Sequence, residues 1–381
     1  MESEDIIMVD ANVLLLIDLG NSETRAEVVY KGKSLKLELS NYFNILYADY
    51  VIPEDYRNEE STVFGTSGGY VANGEIVTHE FAAAIMKPTG RRAKSEQITS
   101  QYSIMMVMIK AVSIISGNLG IRPADINWVF DIACLLPPEE QANKVAASAM
   151  TEMITNITQL ECISPIVFNI PVSIKSVKLF PEGVVAYTAA LFNLKDGKAV
   201  VNPDNMKYRQ GYTLVMDIGA GTTDFAMVFN GKFVAQSKAT IKTGGNLVEA
   251  YCKREIRRRY SNAPTDMTEI IEHGVYTRGN QKIIVDDILI RAKNDFAATL
   301  NNAIMEYLEV TQLPVHELKG LLVIGGGAIA AERDGKVVSE SLAYPLCETI
   351  KQMATSVELV HLTVNPRFAN IEGLRIMSTM W

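Results

Sequence analysis

Cysteine and histidine are scarce, with 4 of each in 381 residues. Cys134, Cys162, Cys252 and Cys347 form no Cys-x-x-Cys pair, and His79, His273, His316 and His361 show no ligand spacing. That excludes a disulfide framework and a protein-built zinc site, and a reducing cytoplasm is the expected location. A basic surplus is also missing: 36 Lys and Arg stand against 44 Asp and Glu, a formal charge of −8. Such a chain gains little from counterion release on nucleic acid, so direct contact with DNA or RNA is not expected. Long apolar runs are absent too. Ile104 to Ile115 is broken by Lys110, falls short of the roughly 20 residues that cross a bilayer, and reads as a buried helix. Residues 1–10 are acidic with no basic residue, unlike a secretory signal. Neither export nor a membrane partner is expected.

What is present is apolar material for sizeable cores, 48% hydrophobic against 21% charged, in a chain long enough for two packed lobes. Leu16 to Lys33 aligns without gaps on Val215 to Lys232, an offset of 199 residues from Asp18 to Asp217. Gly20 meets Gly219, Thr24 meets Thr223, Val29 meets Val228, Gly32 meets Gly231 and Lys33 meets Lys232. Each copy reads as a strand, a turn with Asp, Gly and hydroxyls, a second strand and a Gly-Lys turn. A repeat half a chain apart implies two lobes of like fold, with the cleft between them as the natural ligand site.

Between the copies, Glu96 to Ser116 reads as a helix stopped by Gly117 and Gly120. Trp128 to Leu136 follows as a buried strand, Pro138 to Ile157 as a helix led by Glu139 and Glu140, and Ile163 to Phe180 as β structure. Gly183 to Phe192, Gly244 to Tyr260 and Val285 to Leu308 read as helices, the last two separated by a polar, turn-rich stretch suited to a subdomain. Leu321 to Ile324 is a short buried strand running into Gly325-Gly326-Gly327-Ala328, a turn whose missing side chains let a nucleotide or another backbone approach. Polar residues 196–211 and Pro366 mark the boundaries.

Backbone amides of a Gly-rich hairpin can wrap phosphate, but a neighbouring carboxylate repels it unless a cation intervenes. Asp18 and Asp217 therefore imply Mg²⁺, held largely through its waters, and Arg25 is placed to add a contact to phosphate. Read alone, either copy is explained as well by a β-hairpin whose Asp, Asn, Gly and Thr satisfy turn geometry. The pair, with the later triple glycine, favours nucleotide binding. Glu182, in Phe180-Pro181-Glu182-Gly183, fits two roles equally: an acid at a helix start, or a carboxylate that orients water for attack on a terminal phosphate. Lys253, Arg254, Arg257, Arg258 and Arg259 read as a solvated helix face, with a filament contact or an adenine-side contact as the alternatives.

With these residues in place the chain resembles the actin-like ATPases, a superfamily that also holds sugar kinases and heat-shock chaperones. Leu16 to Ser22 resembles its first phosphate motif, Ile174 to Leu191 its first connecting segment and Val215 to Asp224 its second phosphate motif. Leu322 to Ala328 resembles the adenosine motif and Ala369 to Leu374 the second connecting helix. Val177 to Glu182 and the Gly-Gly-Gly-Ala turn are most similar to the ParM/StbA plasmid-segregation actins. Arg25 stands where those proteins commonly have Lys, Asn21 where they have a small hydroxyl or Gly, and Ala220 where they have Gly or Asp.

The resemblance implies an α/β fold, actin-like and ribonuclease H-like, with two lobes of mixed β-sheet flanked by helices and smaller inserted subdomains. It implies domain I over 1–185 with a small subdomain at about 35–95, domain II over 186–365 with a small subdomain at about 243–318, and a return to domain I over 366–381. It gives Glu182 and Asp217 catalytic roles, Glu182 orienting water, while Asp18 and Asp217 hold hydrated Mg²⁺. Phosphate and nucleotide contacts fall to Asp18, Gly20, Asn21, Ser22, Thr24, Arg25, Gly219, Ala220, Gly221, Thr222 and Thr223. The ribose side has Gly244, Gly245 and Asn246, and the adenosine turn has Gly325, Gly326, Gly327 and Ala328.

The cofactors implied are ATP, with GTP left open, and Mg²⁺. The function implied is a bacterial filament that assembles head to tail with ATP and disassembles after hydrolysis, segregating plasmid DNA through a DNA-binding adaptor at the filament end. A small-molecule kinase of the same superfamily, acting on a sugar or carboxylate, is the alternative. A chaperone is disfavoured because little sequence follows the last actin-like segment, and a membrane-linked actin because the final residues are too short for an amphipathic anchor.

Overall fold

The computed structural model describes residues 9–20, 23–46, 62–73, 82–86, 93–264, 267–312 and 315–380. It divides into two compact units, Met1–Glu182 and Gly183–Trp381.

In chain order the first unit carries β1 (Val9–Leu19), β2 (Glu23–Tyr30), β3 (Lys33–Ser40), β4 (Phe43–Leu46), β5 (Thr62–Thr66), β6 (Gly69–Asn73), β7 (Ala82–Met86), α1 (Ile98–Leu119), β8 (Ile126–Leu136), α2 (Pro138–Ala142), α3 (Lys144–Thr155), β9 (Gln159–Ser164) and β10 (Phe168–Pro181). Among the described residues its strands run β3-β2-β1-β8-β10-β9-β5-β6-β4-β7. β1 is antiparallel to β2 and parallel to β8, and β8 is parallel to β10, which makes a mixed sheet. β10 serves two partners: Val172 to Pro181 pair with β8, and Phe168 to Pro171 with β9. Of the small subdomain expected over about 35–95, residues 47–61, 74–81 and 87–92 lie outside the described residues.

α1 is long and apolar enough to cross a membrane, yet 72% of its apolar window is buried in the unit. Met105, Met106 and Met108 join Trp128 and Phe130 in one core, so burial of apolar surface inside the protein accounts for this helix. It ends at Gly120, whose φ of +64° suits glycine, and the Ile121 N–H returns to Ser116 O at 3.1 Å. Gly117, expected as a stop, lies within the last turn. The helix expected over Pro138 to Ile157 is two helices. Asn143 breaks it, its side chain accepting from Val145 N and Ala146 N and so starting α3 afresh. The β segment expected over Ile163 to Phe180 is likewise two antiparallel strands, β9 and β10.

The second unit carries α4 (Val184–Leu191), β11 (Phe192–Lys195), β12 (Lys198–Val201), β13 (Tyr212–Ile218), β14 (Thr223–Phe229), β15 (Lys232–Phe233), β16 (Ala239–Ile241), α5 (Asn246–Tyr260), α6 (Thr268–His273), β17 (Val275–Arg278), β18 (Gln281–Ile284), α7 (Asp286–Thr311), β19 (Leu318–Ile324), β20 (Ala331–Arg333), β21 (Lys336–Ser339), α8 (Ala343–Lys351), β22 (Glu358–Leu359) and α9 (Ala369–Ser378). Its main sheet runs β15-β14-β13-β19-β22, with β16 on β14. β13 is antiparallel to β14 and parallel to β19, and β19 is parallel to β22. Strand for strand this repeats β3-β2-β1-β8-β10. The turn-rich stretch between α5 and α7 folds as α6 and the β17–β18 hairpin.

The internal similarity is thus a structural repeat down to register. Asp18 pairs with Arg25 and Leu14 with Val29, and the residues 199 further on, Asp217 with Asp224 and Thr213 with Val228, pair in the same way. Lys31 and Gly32 (φ +48° and +77°) and Asn230 and Gly231 (φ +49° and +76°) form the same two-residue turn, whose twist matches that of the strands it joins.

The segment expected to return to the first lobe after Pro366 belongs to the second unit, where α9 packs on α4. The two helices cross at near backbone contact: a Cβ on Gly373 would lie 2.1 Å from Val185 O. The Asn365 side chain accepts from Arg367 N and starts the turn that leads into α9.

Candidate functional site

In the first unit the turn expected to hold phosphate follows β1. Asp18 is buried near the end of that strand, and Asn21 and Ser22 lie outside the described residues. Gly20 is required sterically, since a Cβ there would sit 2.5 Å from Glu23 O. The turn is held from behind by Asn41, which is 1% exposed. Asn41 Nδ2 donates to Gly20 O at 2.5 Å, while its Oδ1 accepts from Thr24 Oγ1 at 2.7 Å and from Ser103 Oγ of α1 at 2.9 Å. Each such bond adds about 1 kcal/mol net, but leaving any of these buried groups unpaired costs more. Thr24, expected among the nucleotide contacts, is wholly buried and acts as this brace. Arg25, expected on phosphate, pairs with Glu23 Oε2 at 2.9 Å and with Glu38 Oε1 across the ladder at 3.4 Å.

Glu182 follows β10 directly, its N–H donating to Leu136 O at 2.8 Å. Its carboxylate is ion-paired with the Lys94 ammonium, and the two side chains are only 13% and 12% exposed. Burial works against the charge on Lys94, but the carboxylates of Glu182 and Asp18 outweigh it and hold the ammonium above the usual lysine range. The backbone of Lys94 is fixed separately, its N–H donating to Glu140 Oε2 of α2 at 2.7 Å. Burial pushes the neighbouring Cys134 thiol up to about 12, so it stays protonated and inert. Lys94 shares a small pocket with Gly20, Leu19, Asn41, Gln97 and Ser100.

In the second unit three glycine-bearing turns, far apart in sequence, converge. Gly219 N–H closes the hairpin turn on Thr222 O at 2.9 Å. Gly245 N–H donates to Gly219 O at 2.9 Å and Asn246 N–H to Ala220 O at 2.7 Å, so the start of α5 is used to hold the turn. A Cβ on Gly244 would lie 2.6 Å from the carbonyl oxygens of both Gly219 and Ala220. Thr223 is wholly buried and donates to Thr243 O at 2.8 Å. The repeat therefore extends to the bracing. In each unit the turn glycine's carbonyl and the threonine hydroxyl are tied to one following segment, through the Asn41 side chain in one and the 243–245 backbone in the other.

The third turn is Gly325 to Ala328. Gly325 has φ +88°, and a Cβ there would meet Ile218 O at 2.5 Å and Asp217 Oδ1 at 2.6 Å. Its N–H donates to Pro366 O at 3.1 Å. Gly327 packs on Ile218, whereas around Gly221 and Gly326 there is open space. Asp217 Oδ2 accepts from Asn370 Nδ2 at 2.9 Å, and Asn370 Oδ1 accepts from Gly183 N at 3.1 Å. Lys293 of α7, 7% exposed, donates to Ile329 O just past the triple glycine at 3.0 Å. Burial lowers its pKa to about 8.

Within the first unit, then, Asp18, Gly20 and Glu182 share one neighbourhood through Lys94. Within the second, Asp217, Gly219 to Thr222, Gly244 to Asn246 and Gly325 to Gly327 share another. Lys94, Asn41 and Asn370 were not foreseen. Asn370 lies in a segment already singled out, but Lys94 and Asn41 stand in stretches without a recognisable pattern and are brought to the site only by folding. Among the described residues no three His, Cys, Asp or Glu side chains cluster as a metal cage. Single buried or half-buried carboxylates beside turns expected to hold phosphate fit Mg²⁺, which keeps its waters and leans on phosphate oxygens.

A sequence profile of the family described as "Archaeal actin homologue MreB-like, C-terminal" matches residues 215–334. No curated protein matches the chain in sequence. Among solved structures, the archaeal actin homolog Ta0583 in complex with ADP aligns with TM-score 0.67 at 16% identity, covering 97% of this chain and 100% of that one. Bacillus thuringiensis ParM with ATP aligns with TM-score 0.64 at 14% identity, covering 97% and 98%. The actin-like protein Alp7A aligns with TM-score 0.68 at 13% identity, covering 98% and 97%. The fold of the chain is the actin-like fold over nearly its whole length.

Proposed function

We propose that this chain of actin-like fold is an ATPase that assembles with itself into filaments under nucleotide control. The observation that carries the reading is the duplicated hairpin. Two turns with an Asp at the same register, each braced through its glycine carbonyl and its threonine, give two preorganised backbone surfaces for phosphate, with a carboxylate beside each for a hydrated Mg²⁺. The convergence of Gly244 and Gly325 on the second hairpin supports the approach of a nucleoside.

When bound, Mg²⁺ supplies charge neutralisation at the phosphates. The chain's own residues do the rest. Asp18 and Asp217 would each hold waters of such an ion, the turn amides would orient phosphate oxygens, and Glu182 would orient the attacking water. Solved structures of the same fold carry ADP in Ta0583 and ATP in Bacillus thuringiensis ParM, which supports ATP as the nucleotide. A head-to-tail contact that does not close on itself yields an open filament, and nucleotide that favours one conformation biases its assembly. A net charge of −8 favours carriage of DNA through a basic adaptor over direct binding. Plasmid segregation in a cytoplasm is the role we assign from the resemblance of Val177 to Glu182 and the Gly-Gly-Gly-Ala turn to the plasmid-segregation actins.

The test is light scattering of purified protein after addition of Mg-ATP, Mg-GTP or buffer, with phosphate release and negative-stain images from the same samples. Nucleotide-triggered filaments that decay as phosphate appears are the expected result. Tight ATP binding without assembly across salt and concentration, with ADP produced only when a sugar or carboxylate is added, would replace this reading with a small-molecule kinase.

A further inference from the structure

The nucleotide-binding reading uses Asp18, Gly20 and Glu182 of the first unit but gives no role to Lys94, the cation among them. Its backbone is fixed by Glu140, its ammonium lies against the Glu182 carboxylate, and it borders the same small pocket as the Gly20 turn. A pinned backbone with a long, unbranched side chain lets the charged head change partners while the stem stays in place. The carboxylate expected to orient water is thus engaged by an ammonium beside the turn expected to hold phosphate.

We propose that Lys94 is the terminal-phosphate contact of the first unit, and that it keeps Glu182 engaged until a triphosphate arrives. This rests on the nucleotide-binding reading and deepens it. A terminal phosphate carries more charge than a carboxylate and offers more acceptor oxygens, so it competes well for the ammonium. Transfer of Lys94 to that phosphate frees the Glu182 carboxylate to accept a hydrogen bond from water. The water oxygen then bonds to the terminal phosphorus as the bridging P–O bond breaks toward ADP. The proton that water gives up passes through Glu182 to the phosphate released. ADP lacks the group that recruits Lys94, so the pair re-forms after phosphate leaves. The carboxylates facing Lys94 are those of Glu182 and Asp18, with the buried Cys134 thiol also near.

The experiment measures Kd for Mg-ADP and for a non-hydrolysable Mg-ATP analogue in wild type, Lys94→Met and Lys94→Arg. The loss of one charge-assisted contact to phosphate is expected to weaken the ATP analogue about tenfold in Lys94→Met, with ADP changed less than about twofold. Lys94→Arg, which keeps the charge, restores part of the analogue's affinity. An equal fall for both nucleotides, or no fall, overturns the proposal.

Because Lys94→Met alone leaves Glu182 buried without its cation, thermal melts of Lys94→Met, Glu182→Gln and the double variant are compared as a cycle. A coupling between the two sites is expected in nucleotide-free protein and is expected to vanish with saturating ATP analogue. Coupling of equal size in both states overturns the exchange. Wild-type protein that binds neither nucleotide overturns the underlying reading and this one together, whereas binding of both with an unchanged ratio in Lys94→Met overturns this one alone.

Discussion

Asn370 donates from Nδ2 to Asp217 Oδ2 at 2.9 Å while its Oδ1 accepts the Gly183 N–H at 3.1 Å. Since Gly183 N–H can only donate and a carboxylate oxygen only accepts, the orientation of the amide is fixed by its two partners. One buried side chain thus holds both the aspartate of the second hairpin and the residue that follows Glu182 in the chain. The glycine at 183 is itself demanded by φ +71°.

Substituting Asn370 should therefore affect turnover more than nucleotide affinity. Asn370→Ala is expected to lower kcat about tenfold or more and to raise the magnesium needed for half-maximal rate, the usual scale for a partner that orients a metal-side carboxylate. Asn370→Asp, which sets a carboxylate against Asp217, is expected to be worse. A magnesium titration of steady-state phosphate release checks both, and a change in KM alone would contradict the assignment.

Gly325→Ala meets three obstacles at once: a left-handed backbone at φ +88°, Ile218 O at 2.5 Å and Asp217 Oδ1 at 2.6 Å. Backbone strain and overpacking together are expected to cost about 2 to 4 kcal/mol. Urea unfolding should show the loss as a lower midpoint at unchanged slope. Gly326→Ala, with open space around it, should unfold like wild type while weakening nucleotide binding.

Asn41→Ala removes the acceptor of Thr24 and Ser103 and the donor to Gly20 O together. A loss of about 2 to 3 kcal/mol in stability is expected, with weaker ATP binding because the turn is no longer held. Isothermal unfolding alongside a fluorescent-nucleotide titration tests this. Full stability with full binding would show that the turn stands without its brace.

Lys293 gives a pH signature. Its folded pKa of about 8 lies below the ordinary lysine value of 10.5, so the unfolded chain binds its proton more tightly. The penalty for charging the buried amine is present in full below about pH 8 and is relieved as pH rises toward 10.5. Lys293→Met lacks that penalty. Its stability relative to wild type should fall by about 3 kcal/mol between pH 7 and 10.5, read from urea unfolding of both proteins at each pH. A pH-independent difference would show that Lys293 is not buried as a charge.

The parts of the molecule legible in the sequence are those written in local pattern. The repeat announced two equivalent hairpins because strand, glycine and turn residues recur at one spacing, and the structure repeats even the register and the Lys-Gly and Asn-Gly turns. The buried strand read over Trp128 to Leu136 was legible as a mostly apolar run despite Asp131, and it spans Ile126–Leu136. The single helix expected over Pro138 to Ile157 breaks at Asn143, because an asparagine inside an apolar-periodic stretch looks tolerable until its side chain caps a new helix. Thr24 and Thr223, expected among the nucleotide contacts, are buried and brace their turns, because a hydroxyl that faces a ligand and one that ties the turn from behind look alike in sequence. Asn41 and Lys94 carry no local signature, since their importance comes from partners 21 and 88 residues away, and Asn370, though in a segment the sequence singles out, owes its role to a partner 153 residues away.

The central claim is that the chain binds Mg-ATP through its duplicated hairpins, and calorimetric titration of Mg-ATP into the purified chain tests it most directly. The account expects saturable binding at one nucleotide per chain, abolished or weakened more than about tenfold by Asp217→Ala and dependent on magnesium. Absence of saturable heat with wild type, or binding untouched by Asp217→Ala and by removal of magnesium, would contradict it.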